Sequence, residues 1–573
     1  MPQGLQVDDY QFLFRVMAVL KCSTCRQKQR TAATGMKTAA CVGKRAVSLD
    51  AEADSHEIPG RILHIPGFSP DMIYAQKLIG AVTCCVSHSI TKLIILFLVS
   101  EFNPFPIIFL VYKERGLYYH EEKTIRRFVM IDLEIAKLCQ IKRANTDWWI
   151  NSRSVVAENG KTYIGYVTDT GEIHVKEMDA KCSKAVSRDV CLRRLNNDYA
   201  DEHNAPGLCV LRSGHIIAAY TGHGRKQKYL YYRITEKPYD IMSFGEEQVL
   251  EYEGGTTYAQ MYENCKTNEI WLFCRVAKVN WQFRYSRDGG TTWSAPKNFL
   301  HSEDGGLFYF DIRKQHLQGN NGRDEQFFFA VYGHPRISKD HTIRSGIFAS
   351  DGRLTKTDGT PLNVDLYEND GALIDLSQLD TVYASPEGTT VRLMDVAPTL
   401  PLRVGFAPFV LDDDFSPDPA KAYYCSATFV GGKWVTSQPI CTAGEFLAKG
   451  VIDGSQTYLG GMAYYYGVGE AGLRTYSEDP NHDPKTFTNR IYIARFDGKD
   501  RVLESYLSQD RGKTYRLEQV LRRIPGEKDI KIWRPLVPLY AQDNMPVYWH
   551  EGPYTAHSGG WHCDVKMYVE YDD

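Results

Sequence analysis

Two octapeptides, far apart in the chain, follow one pattern of a serine, an aspartate, a glycine, a threonine and an aromatic ring. They are residues 286–293 (SRDGGTTW) and 508–515 (SQDRGKTY), which fit S-x-D-x-G-x-T-W except that the second ends in tyrosine. In such a segment the aspartate and threonine side chains hydrogen-bond around a turn, glycine takes a positive φ, and the ring packs between strands. One match carries little weight, but two predict the repeated units of a β-propeller. The aspartates of both segments are expected to be structural rather than catalytic.

The chain from residue 147 onward is a succession of short apolar runs separated by tight turns. No amphipathic helical pattern lies between these runs, as in residues 162–167 (TYIGYV), 327–332 (FFFAVY) and 490–496 (RIYIARF). The 36 Tyr, 25 Phe and 46 Gly residues suit a β-rich protein. We therefore predict an all-β fold in which residues 147–573 form a seven-bladed β-propeller of four-stranded antiparallel units.

Residues 1–140 differ in texture and are predicted to be an irregular N-terminal extension of unknown role, possessing little regular order. Asp8, Asp9 and Arg15 interrupt the apolar stretch that a signal peptide needs, so none is readable. The two apolar runs at 90–99 and 107–112 are too short for a membrane span.

Charge and cysteine usage exclude some partners. The net charge is −3, without a basic excess that would suggest a nucleic-acid partner. Cys22 and Cys25 form a CxxC pair, but no second pair at zinc-ligand spacing accompanies it among the 14 cysteines. No metal-ligand set is legible, and a structural calcium or zinc ion stays an open alternative.

A histidine stands at each end of a predicted hairpin. His203 precedes the apolar run at 207–211, a Ser-Gly turn follows at 213–214, and a second apolar run ends just before His223. Because a hairpin returns the chain to its start, both imidazoles are expected at the same end of the sheet. Two groups that titrate near neutral pH form a plausible acid/base pair, although two ordinary loop histidines would give the same pattern.

The next two units carry polar groups at matching ends of their strands. Tyr258 and Arg275 flank the strands of one unit, and Tyr309 and His334, followed by Arg336, flank those of the next. Each residue taken alone also has a non-functional explanation, since tyrosine is common in this sequence and Arg275 could be a surface charge at the rim of the sheet. Together they predict one ligand-binding end of the propeller channel.

The segments 201–206 (DEHNAP), 221–223 (TGH), 257–258 (TY), 272–275 (LFCR) and 333–336 (GHPR) are similar to those of a known family. Over roughly residues 147–573 the chain resembles the BNR-repeat seven-bladed propeller polysaccharide lyases, which include ulvan lyases and L-rhamnose-α-1,4-D-glucuronate lyases. In that family a histidine pair 20 residues apart, a tyrosine and an arginine form the active centre. The separation between His223 and Tyr258 is shorter than the family leads us to expect, which leaves the substrate more open than the chemistry. The resemblance implies catalytic roles for His203, His223, Tyr258 and Arg275, with Tyr309, His334 and Arg336 as substrate contacts.

The activity that the resemblance implies is β-elimination at a uronic acid of a rhamnose–glucuronate polysaccharide or oligosaccharide, giving a 4,5-unsaturated uronate. This chemistry requires no cofactor. A sialidase-like glycoside hydrolase and a non-catalytic carbohydrate-binding propeller stay as alternatives, because fold alone does not fix function. A monomer is expected, without a nucleic-acid partner or membrane span. The substrate class predicts an extracellular location.

Overall fold

The computed structural model divides into two compact units, Met1–Ala136 and Lys137–Asp573. In the first unit it describes one antiparallel sheet, in the order β1-β2-β3-β4. The strands of this sheet are β1 (Ile79–Val82), β2 (Ile95–Leu98), β3 (Ile108–Lys113) and β4 (Gly116–His120). In the second unit it describes residues 141–146, 155–179, 187–194, 200–223, 227–277, 280–302, 305–314, 326–335, 338–368, 374–397, 401–410, 418–447, 458–465, 489–538, 547–556 and 559–568.

The second unit is a ring of seven sheets, which we call blades 1 to 7 in chain order. Blade 1 contains β5 (Ala144–Asn145), β6 (Val155–Glu158), β7 (Lys161–Thr168), β8 (Glu172–Asp179) and β9 (Arg188–Arg194). Blade 2 contains β10 (Gly207–Val210), β11 (Ile216–Thr221), β12 (Tyr229–Ile234) and β13 (Gln248–Glu251). Blade 3 contains β14 (Thr256–Asn264), β15 (Glu269–Val276), β16 (Asn280–Ser286) and β17 (Lys297–His301).

The remaining blades follow the same antiparallel plan with small additions. Blade 4 contains β18 (Phe308–Lys314), β19 (Gln326–Gly333), β20 (Ile343–Ala349), β21 (Arg353–Thr355) and β22 (Pro361–Asp365). The next two strands are β23 (Ile374–Asp375), which joins blade 3, and β24 (Asp380–Tyr383), which pairs with β20. Blade 5 contains β25 (Thr389–Ala397), β26 (Arg403–Val410), β27 (Tyr423–Val430), β28 (Lys433–Thr436) and β29 (Cys441–Thr442).

Blades 6 and 7 complete the ring. Blade 6 contains β30 (Met462–Tyr464), β31 (Asn489–Phe496), β32 (Asp500–Ser508) and β33 (Arg516–Pro525). Blade 7 contains β34 (Lys531–Leu536), β35 (Val547–Gly552) and β38 (Asp564–Tyr568), and between β35 and β38 the hairpin β36 (Tyr554–Ala556) with β37 (Gly560–Trp561) forms a separate two-stranded sheet. Short 3-10 turns lie at Glu202–Asn204, Ile241–Ser243, Leu376–Gln378 and Pro419–Lys421. No helix in the part of the chain that the structure describes is long and apolar enough to cross a membrane.

Burial decreases from the first to the fourth strand of a blade. In blade 3 nearly every side chain of β14 and β15 is buried, and in blade 2 the fourth strand, β13, is mostly exposed. Burial on both faces explains why second strands such as β11 (IIAAYT) and β19 (QFFFAVYG) are nearly continuous apolar runs, whereas the exposed fourth strand β13 (QVLE) alternates. This gradient and the ring of seven sheets confirm the predicted all-β, seven-bladed propeller.

The ring of blades closes where the first and last described segments of the second unit meet. Ile141 and Val565 exchange two backbone hydrogen bonds, of 3.0 and 2.9 Å, and the amide of Ala144 donates to the carbonyl of Cys563 at 2.9 Å. Strand β5, next in the chain, pairs with β7 of blade 1. Residues 141–145 thus connect the first and last blades by strand pairing.

Both octapeptides form the same set of hydrogen bonds. In the first, the Thr292 amide and hydroxyl donate to Asp288 at 2.8 and 2.6 Å, and the buried Gly290 amide donates to Ser286 Oγ at 2.8 Å. The second repeats these bonds between Thr514 and Asp510 and between Gly512 and Ser508. Gly290 and Gly512 have φ of 94° and 79°. These turns join the third and fourth strands of blades 3 and 6, the structural role that the motif predicts.

Candidate active site

The histidine hairpin has the predicted form. Strands β10 and β11 pair in antiparallel register from Gly207–Ala219 to Val210–Ile216, and Gly214 turns the chain with a φ of 83°. The imidazoles of His203 and His223 therefore meet at one end, with ring centroids 3.8 Å apart and planes within 10° of parallel. The side chain of His223 is 26% exposed, whereas that of His203 is 5% exposed. His223 is thus the member of the pair with better access to a ligand.

A single carboxylate holds both imidazoles. The Nδ1 atom of His203 lies 2.5 Å from Asp201 Oδ1, and that of His223 lies 2.8 Å from Asp201 Oδ2. Asp201 also begins the 3-10 turn, where its Oδ1 accepts the backbone amide of His203 at 3.0 Å. Burial by itself would raise the pKa of Asp201, but the two imidazoles hold that pKa well below its usual range. Asp201 is therefore ionised around neutral pH.

The neighbouring carboxyl group behaves in the opposite way. Glu202 is fully buried and accepts hydrogen bonds from the Tyr554 hydroxyl at 2.8 Å and from Asn145 Nδ2 at 3.0 Å. Burial raises the pKa of Glu202 well above its ordinary value, and the charge of Asp201 adds to that rise. Two adjacent acids thus favour opposite protonation states, and only the ionised one contacts the histidines.

Tyr258 has a strained backbone conformation at the start of blade 3. Its φ is 64°, which is unusual for a bulky side chain, and the pairing of β14 with β15 shifts register between Thr257 and Gln260. Such bulges redirect a side chain, and strain of this kind concentrates at functional sites. The ring of Tyr258 lies 5.7 Å from that of His203. Burial raises the pKa of the Tyr258 phenol well above its ordinary value, although the charge of Arg275 opposes that shift.

Arg275 is a buried cation with an unused donor. It lies opposite Thr257 in the β14–β15 pair and is 5% exposed. Its guanidinium carbon is 4.5 Å from the Tyr258 ring centroid and 5.5 Å from that of Tyr309. Among the described residues no group accepts a hydrogen bond from its buried Nη1 atom. A buried, partly unsatisfied guanidinium is costly without a ligand, so this position suits an anionic group.

Blade 4 adds an aromatic wall beside Arg275. The ring of Tyr309 stacks on Tyr332 at 5.1 Å and on His334 at 5.7 Å, and Tyr309 also lies 6.2 Å from Tyr258. Aromatic rings of this kind are side chains on which the apolar face of a sugar can stack. Of the predicted substrate contacts, Tyr309 and His334 belong to this cluster, and Arg336 lies outside the described residues.

Asp201, His203 and His223 each offer a possible metal-ligand atom, and these three atoms lie within 4.8 Å of one another. An ion bound by two imidazoles must lie close to the plane of each ring, along its nitrogen lone pair. Because His203 and His223 are stacked, these lone pairs lie in two nearly parallel planes, with ring centroids 3.8 Å apart, so one ion cannot lie close to both planes. The distances to Asp201 are those of charge-assisted hydrogen bonds. The geometry therefore favours a hydrogen-bonded group over a metal centre.

Six of the seven predicted site residues lie within one network of ring and cation contacts, formed by blades 2 to 4. They are His203, His223, Tyr258, Arg275, Tyr309 and His334. The sequence interpretation missed Asp201, although an acid two residues before a candidate histidine was an available signal. It also missed Tyr554, for which nothing in the sequence indicated a contact with Glu202.

Comparison with known proteins finds a matching family model, a partial relative and similar folds. Residues 161–440 match the family model described as BNR repeat-containing family member. An ulvan lyase of Nonlabens ulvanivorans is 26% identical over 167 residues, which are 26% of this chain and 35% of that protein. The chain thus spans about a third of the length of this curated relative.

Two solved structures have the same fold at low identity. One is described as a PL25 ulvan lyase of a new polysaccharide lyase family, with a TM-score of 0.52 and 14% identity over 75% of this chain and 95% of the other. The second is that kind of enzyme bound to -[GlcA(1-4)Rha3S]-, with a TM-score of 0.52, 13% identity and the same coverage. With its BNR repeat match inside a seven-bladed ring, the chain resembles the BNR-repeat propeller polysaccharide lyases, as its motifs predict.

Proposed function

We propose that the protein is a polysaccharide lyase that cleaves the bond to O4 of a uronic acid by β-elimination. The observation that carries this proposal is the buried Arg275, whose unsatisfied Nη1 lies beside a tyrosine and a stacked histidine pair. The uronate carboxylate is the anion that such a site suits, because a planar fork binds it through two charge-assisted hydrogen bonds.

The reaction begins with loss of the C5 proton of the uronate. That proton is weakly acidic because the adjacent carboxylate resists further negative charge, and Arg275 offsets this charge. Removal of the proton forms the C4–C5 double bond, breaks the C4–O4 bond and transfers a proton to the leaving oxygen. The products are a 4,5-unsaturated uronate and a new sugar hydroxyl. No water enters, so a pair of carboxylates of the glycosidase kind is not needed.

The protonation states of the site suit a division of labour. His223, the more exposed imidazole, has its Nδ1 on Asp201, so in the neutral ring Nε2 is the nitrogen that can accept the C5 proton. The raised pKa of Tyr258 keeps its phenol protonated, so it can donate to the leaving oxygen. Among the described residues no group forms a hydrogen bond with that hydroxyl. We therefore assign His223 as base and Tyr258 as acid, with His203 completing the stacked pair.

The substrate class is proposed from the relatives. The matched enzymes are named ulvan lyases, and one structure holds a glucuronate–rhamnose sulfate oligosaccharide. We extend to this chain a polymer in which glucuronate alternates with rhamnose, with stacking contacts from Tyr309 and His334. Because such polymers lie outside cells, an extracellular place of action is part of the proposal.

Product analysis tests the proposal. The purified protein is incubated with ulvan and a panel of other uronate polysaccharides, and the ultraviolet absorbance of the 4,5-unsaturated uronate is followed, with Arg275→Ala as the matched control. The expected result is absorbance that rises with the wild type alone. New reducing ends without absorbance would identify a hydrolase, and retention on the polysaccharide without new ends would identify a binding propeller. Either result overturns the lyase proposal.

A further inference from the structure

Asp201 is placed to control which nitrogen of each imidazole carries a proton. Its two carboxylate oxygens are divided between the two rings, Oδ1 to His203 and Oδ2 to His223. Asp201 is 4% exposed, so water has little access to compete for these oxygens. An ionised carboxylate has no proton to donate, and both contacts therefore require Nδ1–H on the histidine side.

The consequence reaches the opposite edge of each ring. A neutral imidazole has one N–H and one bare nitrogen, so a proton fixed on Nδ1 leaves Nε2 as an acceptor. Nε2 points away from Asp201. We infer that Asp201 is a positioning residue, which holds both His203 and His223 in the Nδ1–H tautomer and so makes the Nε2 atom of each neutral ring a proton acceptor. The kinetic part of this inference rests on the proposed function, but the tautomer itself does not.

Replacement of Asp201 by asparagine has an asymmetric effect on the two rings. The backbone amide of His203 only donates, so the carbonyl oxygen of the new side chain stays on that side, where it also accepts from His203 Nδ1. The amide nitrogen then faces His223 and donates to its Nδ1. This reverses the tautomer of His223 to Nε2–H and removes its acceptor, while His203 keeps its own. The substitution therefore disables one named atom in a nearly unchanged shape.

The adjacent acid supplies a matched control. Glu202 is as buried as Asp201 and neighbours it in the chain, yet its side chain contacts Tyr554 and Asn145 instead of the imidazoles. Since its raised pKa favours the neutral acid, Glu202→Gln replaces one neutral group by another of the same shape. The amide can accept from Asn145 and donate to the Tyr554 oxygen, so the fold and the histidine tautomers are expected to stay as in the wild type.

The first test reads the tautomer directly. The full chain is labelled with ¹⁵N-histidine. Its imidazole nitrogen chemical shifts are recorded at a pH well above the ordinary imidazole pKa of about 6.5. His203→Ala and His223→Ala identify the two sets of signals. Nδ1–H is expected for both rings in the wild type and in Glu202→Gln, and Nε2–H for His223 alone in Asp201→Asn. Nε2–H on either ring of the wild type would overturn the inference, whether or not any variant folds and whatever the enzyme's substrate.

The second test is kinetic. Asp201→Asn is expected to lower kcat on the order of 10²–10⁴-fold with little change in KM, as removal of a proton-transfer group does. The double variant Asp201→Asn/His223→Ala is expected to be no slower than His223→Ala, because both changes remove the same acceptor. Multiplicative losses in the double variant would overturn the inference. So would a loss in Glu202→Gln equal to that in Asp201→Asn, since burial rather than tautomer control would then explain both.

Discussion

Asp201 and Asp288 are both turn aspartates whose oxygens accept hydrogen bonds from backbone and side chain, yet they do different things. Asp288 is exposed, and bonds from the Thr292 hydroxyl and amide lower its pKa to about 2. Asp201 is buried, and its pKa is lowered against the cost of burial by two imidazoles. The threonine partner does not titrate in water, so Asp288 only stabilises a turn. An imidazole can in general take up and release a proton near neutral pH, so the contacts of Asp201 are the ones that bear on the proposed proton transfer. The difference between the two turns therefore comes from the hydrogen-bond partners and the burial of the aspartate, and not from the aspartate residue itself.

The largest effect on activity is expected at Arg275, whose positive charge has no counterpart in the octapeptide turn of Asp288. Each donor aimed at developing charge contributes about 10²–10³-fold, so loss of both fork donors in Arg275→Ala is expected to lower kcat/KM by on the order of 10⁴-fold. Arg275→Lys keeps the charge but lacks the planar fork, and should recover only part of this loss. Initial rates of unsaturated product formation measure both variants. Full activity in Arg275→Lys would show that charge alone, without bidentate geometry, is sufficient.

Substitutions of the two imidazoles and of the Tyr258 phenol come next. His203→Ala, His223→Ala and Tyr258→Phe are each expected to lower kcat about 10²–10⁴-fold while KM stays close to that of the wild type. Tyr258→Phe removes only a hydroxyl, so a loss there separates proton donation from ring packing. Steady-state kinetics over a range of substrate concentrations provides both constants. Near-normal turnover in both histidine variants would place the active centre elsewhere on the propeller.

These expectations show how far the sequence leads. The strand runs and the two octapeptides predict the propeller because each depends on residues close together in the chain, and the hairpin rule brings His203 and His223 to one end in the same way. The bond from His223 to Asp201 spans 22 residues and depends on how both side chains turn at the hairpin end. The bond from Tyr554 to Glu202 spans 352 residues and depends on ring closure. Neither has a local pattern that could predict it.

Backbone strain was also beyond sequence reasoning. The positive φ of Tyr258 comes from a bulge against β15, whereas tyrosine itself disfavours that conformation. Glycine at a positive φ, as at Gly290, was predictable because glycine pays no steric cost there. The residue types of the octapeptides thus predict their turns, whereas the backbone conformation of Tyr258 is imposed by the surrounding fold.

The aromatic wall of blade 4 is expected to have a smaller effect on activity. Tyr309→Leu and His334→Ala each remove one ring of the Tyr309–His334 stack, which we propose contacts the sugar without taking part in proton transfer. Each is expected to raise KM about 3- to 10-fold, corresponding to about 0.5–1.5 kcal/mol for an aromatic contact, with kcat nearly unchanged. Arg336→Ala is expected to act in the same way. A kcat loss as large as that of His223→Ala would instead assign the altered residue to the proton-transfer steps.

The smallest effect on activity, with a clear effect on stability, is expected from the octapeptide serines. Ser286 Oγ donates to Asp288 and accepts the buried amide of Gly290, so Ser286→Ala leaves that amide without its partner. An unsatisfied buried amide costs about 1–3 kcal/mol, so the free energy of unfolding should fall by this amount while kcat and KM stay as in the wild type. Ser508→Ala, which removes the same bonds in blade 6, is the internal replicate. Denaturant unfolding and initial rates are measured on the same preparations. If Ser286→Ala lowered activity and Ser508→Ala did not, the blade 3 turn would be coupled to the adjacent site. The distinction between a purely structural Asp288 and a positioning Asp201 would then be wrong for blade 3.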